Sequence, residues 1–116
     1  MQTTNMEQKT RSNHCIVLST CPNLETAETI ARFLVQEKLA ACVNIVPVLT
    51  SIYEWQGNIE KSQEHLLIAK TSCTTYPALE SAILKRHPYE LPEIISIPIN
   101  NGLMGYLSWI DSNVSP

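Results

Sequence analysis

The chain has 116 residues, a length typical of a single domain, and 44% of them are hydrophobic. Three glycines against seven prolines exclude collagen-like and low-complexity sequences. The net charge of −3 excludes the basic surface that binding to nucleic acid or an anionic membrane requires. Only 16% of the residues are charged, against roughly 25% in an average soluble domain. We therefore expect part of the surface to contact other subunits.

The N-terminal segment and the cysteines indicate the compartment. Residues 1–13 are polar and lack the apolar centre of a signal peptide, which predicts a disordered tail before a domain at 14–116. The longest apolar run, residues 39–43, is far too short to span a membrane. The four cysteines form no C-x-x-C pair and fit no zinc spacing, which indicates reduced thiols. These features together predict a cytoplasmic protein.

The first half of the chain predicts a strand, a helix and a second, longer strand. The apolar run at 15–19 is typical of a buried strand, and Asn23 is a good N-cap for a helix that continues to Lys38. Residues 42–55 are rich in β-branched and aromatic types, and the centre of this strand is apolar on both faces. Pro47 lies inside it and cannot donate a ladder hydrogen bond, which predicts a sheet edge or a bulge.

The second half predicts a hairpin, a helix, a strand and a final helix. Gln56-Gly57-Asn58 is typical of a hairpin turn, followed by a strand at 59–70. Residues 73–77 supply caps and an early proline for a helix that ends before Pro88. A strand at 94–99 and a short amphipathic helix from Leu103 to Val114 complete the chain. The order predicts an α+β, ferredoxin-like βαββαβ sandwich with a long central hairpin and an extra C-terminal helix. The sheet face that the two helices leave open is apolar, so we expect something else to cover it.

Four segments have a distinctive sequence, namely LVQEKLAACVNIVPVLTSIYEWQGNIE (34–60), HPYELPEIISIPI (87–99), YLSWI (106–110) and STCPNLETAETIARFLV (19–35). Together they resemble the CutA divalent-cation-tolerance proteins. The resemblance covers nearly everything from residue 15 to residue 111. It implies a compact homotrimer, which would cover the apolar face, and a role in tolerance of copper and other divalent metal ions.

The resemblance also implies a copper site, which this sequence alters. In bacterial members the site is assigned to a cysteine at the end of the first strand and a histidine pair before Pro-Tyr. Those positions hold Ser19, Arg86 and His87 here, and only His87 is a ligand type that copper favours. Cys21 lies two residues beyond Ser19, on the same side of a strand. We therefore expect His87 and Cys21 to bind copper or another divalent cation weakly, with no metal required for folding.

Polar residues around the His87 loop form a second candidate site. Two prolines hold Tyr89, Glu90 and Glu93 beside His87, which suits either a small-ligand or cation pocket or a hydrogen-bonded anchor at a subunit junction. Glu60, Glu64 and Lys70 of the hairpin are candidate members of the same pocket. His87 itself also suits a structural role at the C-terminus of a helix.

The aromatic residues of the hairpin predict an interface. Val48, Tyr53 and Trp55 are apolar or aromatic residues on a strand with no polar face, and we expect them to contact neighbouring subunits of the trimer.

The sequence predicts binding or regulation and not catalysis. It has no glycine-rich phosphate loop, no G-x-S-x-G and no H-E-x-x-H motif. An alternative function is that of a small-molecule sensor similar to the trimeric PII signalling proteins. The long basic loop expected of such a sensor is replaced by the short turn at 56–58.

Overall fold

A computed structural model describes residues 12–115. Most of the predicted tail, residues 1–11, lies outside the described residues. Ser12 and Asn13, at the end of that segment, are attached to the domain. The Ser12 hydroxyl donates to the Ile99 carbonyl, and the Asn13 carbonyl accepts a hydrogen bond from the Cys73 N–H at 2.9 Å. Ser12 and Asn13, which the sequence placed in the tail, therefore bond to the domain.

The first strand and helix form where their sequence signals predict. Strand β1 is His14–Cys21, and helix α1 is Leu24–Gln36. The Asn23 side chain caps α1 by accepting from the Thr26 N–H at 2.8 Å, as predicted. The helix ends two residues before Lys38 because Lys38 has φ +58°, which a right-handed helix cannot contain.

Strands β2 (Cys42–Trp55) and β3 (Asn58–Ser72) form the predicted long hairpin. Gln56 and Gly57 both have positive φ, +52° and +86°, so the two-residue loop matches the twist of the flanking strands. The ladder is irregular between Val46 and Leu49, and β2 is an edge strand. The edge position and bulge expected from Pro47 are therefore both present.

The rest of the chain comprises helix α2 (Tyr76–Arg86), strand β4 (Ile95–Ile99) and helix α3 (Met104–Ser112). One local expectation differs from the structure. Thr75 precedes α2, but its side chain makes no capping bond to the helix. Its hydroxyl instead contacts the Ser72 hydroxyl at 2.7 Å and donates to the Ser115 carbonyl at 2.9 Å. Thr75 thus fastens the C-terminal segment to the end of β3.

The four strands form one antiparallel sheet in the order β2-β3-β1-β4, which confirms the ferredoxin-like prediction. The core lies between the sheet and helices α1 and α2. Its largest fully buried apolar side chains are Val17, Ile30, Leu34, Leu67, Leu79 and Ile83. The hairpin extends beyond this core, so the Cα radius of gyration is 16.0 Å, against about 13 Å expected for a compact domain of this length.

The opposite sheet face carries an apolar strip that we call the open face. It is formed by Ile16, Leu18, Ile68, Ile95 and Ile97. Leu18 pairs with Ile68 on one side and with Ile95 on the other, and Ile16 pairs with Ile97. Strand alternation places all five opposite the core residues Cys15 and Val17. Ile95 and Ile97 are 50% and 46% exposed in the protomer.

Helix α3 closes one end of the domain. Its Ile110 is fully buried, and the Asp111 carboxylate accepts a hydrogen bond from His14 Nε2 at 2.8 Å. The sequence suggested no partner for either residue of this pair. Within residues 12–115, every helix is too short or too polar to cross a membrane.

Candidate functional site

A cavity of about 730 Å³ lies between the hairpin and the loop that joins α2 to β4. Four of the predicted pocket residues line it, namely Glu64, Tyr89, Glu90 and Glu93. Its volume falls within the range of small-molecule sites, roughly 300–1,000 Å³. The structure therefore brings together the hairpin and the proline-flanked loop, as the pocket prediction required.

Glu64 and Tyr89 form the polar centre of this cavity. The Tyr89 hydroxyl donates to Glu64 Oε2 at 2.8 Å, and Glu64 is only 5% exposed. Burial first, and then the hydrogen bond to Glu64, raises the pKa of the Tyr89 phenol above its ordinary value of 10.0. Tyr89 therefore remains a neutral donor, and Glu64 can accept from it as a carboxylate.

His87 fixes the loop through both of its ring nitrogens. Nδ1 accepts a hydrogen bond from the Tyr89 N–H at 3.1 Å, so Nε2 carries the proton in the neutral ring and donates it to the Thr20 carbonyl at 2.7 Å. The Tyr89 ring also packs against His87, with 4.8 Å between ring centroids. A metal ion at His87 would have to displace one of these two backbone partners. Metal binding by His87 stays a prediction.

Cys21 lies close by but is a poor ligand in this state. The side chain is fully buried, and burial, with a smaller effect of the Glu64 carboxylate, raises the pKa of the thiol to about 11. A thiol binds metal as the thiolate, which is scarce at neutral pH when the pKa is this high. Among residues 12–115, no three His, Cys, Asp or Glu side chains gather closely enough to hold a metal ion.

The other two positions of the implied copper site have structural roles or none. The Arg86 guanidinium lies 3.3 Å from the centroid of the Phe33 ring, and Nη1 donates to the Ala82 carbonyl at 3.0 Å. Ser19 is buried, and its hydroxyl has no hydrogen-bond partner among the described residues. Neither side chain compensates for the ligands that the resemblance implies.

Two of the predicted pocket residues do not line the cavity. Glu60 pairs with Tyr53 in the ladder, but it lies nearer the hairpin turn and is exposed. Lys70 is six residues from Glu64 along β3, about 20 Å at strand spacing. Its ammonium group donates to the Asn44 side chain instead. The prediction failed for these two residues because it grouped residues that are near one another in sequence. Residues a few positions apart on an extended strand lie far apart in space.

Two of the predicted interface residues line the same cavity. Tyr53 and Trp55 form its aromatic wall, whereas Val48 lies at the bulge, 58% exposed and with φ +47°. Contact of these three residues with other subunits stays a prediction.

Sequence reasoning missed other lining residues, namely Thr20, Ser51, Ile52, Pro88 and Leu91. Strand alternation from Tyr53 would have found Ser51, and the loop containing Tyr89 already included Pro88 and Leu91.

The comparisons with known proteins identify the family and agree with the fold. The model of the CutA1 divalent ion tolerance protein family matches residues 15–113. The divalent-cation tolerance protein CutA of Thermus thermophilus is 51% identical over 98 residues, which cover 84% of this chain and 95% of that protein. Protein CutA of Homo sapiens is 47% identical over 91 residues, 78% of this chain, and this chain spans about half of the human protein. A solved structure of the Thermus thermophilus protein superposes with a TM-score of 0.86 at 49% identity, covering 88% of this chain and 99% of that one.

Relatives named for different compartments share the fold or the sequence. An Arabidopsis thaliana relative, 41% identical over 93% of this chain and 60% of its own length, is called chloroplastic. An Archaeoglobus fulgidus structure, with a TM-score of 0.86 at 40% identity over 88% of this chain and 99% of its own, is called periplasmic. The match to residues 15–113 and the agreement in both sequence and fold show that the chain belongs to the CutA1 divalent ion tolerance protein family.

Proposed function

We propose that this protein contributes to the tolerance of divalent metal ions as a non-catalytic homotrimer. The match of the family model to residues 15–113 carries the proposal. Both that family and a relative with 51% sequence identity are named for tolerance of divalent ions. Self-association is supported by the open face. In a protomer without partner subunits, the isoleucine and leucine side chains of this face would be in contact with water. Apolar patches of this kind mark interaction surfaces.

The oligomeric state tests the assembly with a matched pair of variants. Ile97 on the open face and Leu24 at the start of α1 are each 46% exposed in the protomer. Ile97→Asp would bury an unpaired charge between subunits, whereas Leu24→Asp would leave a charge in water. Size-exclusion chromatography with light scattering should give about 39 kDa, three times 13.0 kDa, for the wild type and Leu24→Asp. Ile97→Asp should elute as a smaller species. A monomeric wild type would overturn the proposal.

Weak copper binding through His87 and Cys21 is a further part of the proposal. The ring of His87 lies beside the end of β1 because it bonds to the Thr20 carbonyl, next to Cys21 in sequence. A thiol and an imidazole suit Cu(I), but exchange of a backbone hydrogen bond for the metal keeps the expected affinity low.

A competition titration of Cu(I) against a chromophoric chelator tests this site. The Cys73→Ser background removes an exposed thiol that would bind copper by itself. His87→Ala and Cys21→Ser should each abolish most of the remaining binding, and Cys42→Ser serves as the thiol control. An unchanged titration in His87→Ala would remove His87 from the site.

A second candidate function is that of a small-molecule sensor similar to the PII proteins. The cavity favours it, since about 730 Å³ accommodates a small molecule. A nucleotide is the less suitable ligand, because three glutamates line the cavity and repel phosphate. A thermal-shift series separates the candidates. Stabilisation by nucleotides and not by copper would favour the PII-like sensor.

A cytoplasmic location completes the proposal. Cys15 and Cys21 are buried free thiols, and Cys42 and Cys73 are also unpaired. Free thiols are typical of reducing compartments. Fractionation of cells that express the full chain tests the location, and recovery outside the cytoplasm would contradict it.

A further inference from the structure

Two cysteine thiols meet at the end of the β1–β3 ladder that lies nearest the start of α2. Cys15 of β1 pairs with Thr71 of β3. The Cys73 N–H donates to the Asn13 carbonyl at 2.9 Å, so the same register continues one step past the end of β3. Cys15 and Cys73 are therefore diagonal neighbours whose side chains point to the same face of the sheet. Their thiols lie within hydrogen-bonding reach of each other.

The two thiols have very different surroundings. Cys15 is 1% exposed and belongs to the core, whereas Cys73 is exposed. Burial raises the pKa of the Cys15 thiol, a hydrogen bond with Ser96 opposes this effect, and the neighbouring Cys73 thiol raises the pKa further. A small oxidant in solution therefore reaches Cys73 and not Cys15. An exposed cysteine beside a second cysteine that can resolve its adduct is typical of redox-responsive sites.

The pair lies apart from the surfaces that we expect to contact other subunits. Strand alternation places Cys15 on the sheet side that the helices cover, opposite the open face. Cys73 follows β3, an inner strand of the sheet, and precedes α2. The expected interface residues Val48, Tyr53 and Trp55 belong to the hairpin at the other end of β3. The contact between the two thiols forms within one protomer and does not depend on the trimer.

A disulfide between these cysteines requires a small movement of the chain. Cα atoms of diagonal neighbours are about 7–8 Å apart, and a disulfide needs about 4.4–6.8 Å. Cys15 is held in the ladder on both sides, by β3 and by β4. Cys73 lies outside the strand, in the turn that leads to α2. The turn is therefore the part of the chain that can supply a shift of about 1 Å.

We propose that Cys73 is a site of reversible thiolation by small disulfides, and that Cys15 resolves the adduct into a Cys15–Cys73 disulfide. The Cys73 thiolate attacks one sulfur of the small disulfide, whose S–S bond breaks and releases one thiolate. Cys15 then gives its proton to solvent and attacks the Cys73 sulfur, which expels the second small thiolate. Two electrons pass from the two cysteines to the small disulfide, which becomes two thiols. The site is independent of the proposed copper ligands His87 and Cys21.

Oxidation of the full chain with glutathione disulfide tests this proposal. The Cys42→Ser background removes a half-buried thiol that could react by itself and leaves Cys15, Cys21 and Cys73. After incubation at about pH 8, the protein is denatured, alkylated and measured by mass spectrometry. We expect Cys21 to be the alkylated thiol, a peptide that joins Cys15 to Cys73, and no retained glutathione. Dithiothreitol should restore all three thiols.

Three results would overturn the proposal. They are glutathione that stays on Cys73 while Cys15 remains free, alkylation of all three thiols, and a disulfide between two protomers.

Two variants in the same background separate the steps. Cys15→Ala should retain one glutathione on Cys73, because no thiol is left beside it to expel the adduct. Cys73→Ser, at an exposed position, is the variant least able to disturb folding, and it should leave Cys15 and Cys21 free until denaturation. Oxidation of Cys15 in Cys73→Ser would overturn the assignment of Cys73 as the first thiol to react. Loss of the adduct from a folded Cys15→Ala protein would overturn the role of Cys15, and circular dichroism reports the folding of both variants.

Discussion

Removal of the Tyr89 hydroxyl is the most direct test of the site geometry. Tyr89→Phe keeps the ring against His87 but leaves Glu64 Oε2 without the donor that lies at 2.8 Å. A hydrogen bond to a charged group is worth about 1.5–3 kcal/mol, and loss of a donor to a buried carboxylate adds desolvation. Tyr89 is half-buried and the cavity admits water, so we expect a loss near the lower limit. The free energy of unfolding should fall by about 1.5–2 kcal/mol at pH 7.

A double-mutant cycle isolates the contribution of the charge. Glu64→Gln retains an oxygen that accepts the Tyr89 hydrogen bond but removes the negative charge. In that background Tyr89→Phe should cost only about 0.5–1 kcal/mol, the usual value for a neutral pair. Urea unfolding monitored by circular dichroism gives all four free energies. The protomer concentration is kept constant, because association shifts the apparent stability of an oligomer.

The cycle has a clear contrary outcome. Tyr89→Phe could lower the free energy of unfolding equally in the wild-type and Glu64→Gln backgrounds. That result would mean that the negative charge of Glu64 does not strengthen its hydrogen bond with the Tyr89 hydroxyl. Water would then solvate Glu64 through the open cavity, and its low exposure would not imply an uncompensated charge.

Three further predictions concern local strain, alkaline pH and the helix α3 contact. Lys38→Gly should raise the free energy of unfolding by about 0.5–1 kcal/mol, because Lys38 has φ +58°. Glu37→Gly, at φ −88°, should lower it, and a loss in both variants would contradict the strain. Burial and the Glu80 carboxylate raise the pKa of Tyr76 to about 12, against about 10 in the unfolded chain. The native state therefore keeps a proton that the unfolded chain loses, so stability should fall between pH 10 and 12. Tyr76→Phe should flatten that decline in urea titrations, and an unchanged slope would contradict it. Asp111→Asn should lower the free energy of unfolding by less than about 1 kcal/mol, since Asp111 is exposed and its pair with His14 is partly solvated. A loss above about 3 kcal/mol in thermal melts would show that the pair behaves as a buried one.

Signals that act over a few residues determined most of the fold. Asn23 predicted its capping bond, Pro47 predicted the bulge in an edge strand, and Gln56-Gly57 predicted the tight turn. Each of these depends on backbone angles or hydrogen bonds between residues close in sequence, which residue type alone constrains. The residue motifs also identified the family, which the match to residues 15–113 confirmed.

The tertiary structure decided which polar groups meet. Glu64 and Tyr89 are 25 residues apart, and their contact depends on where the loop after α2 crosses the hairpin. His87 reaches the Thr20 carbonyl only because α2 ends beside the end of β1. The sequence predicted polar residues of the hairpin near this loop. It could not tell that Glu64 lines the cavity whereas Lys70 lies elsewhere on the same strand. Strand register and the packing of helices on the sheet set these distances, and they depend on the whole chain.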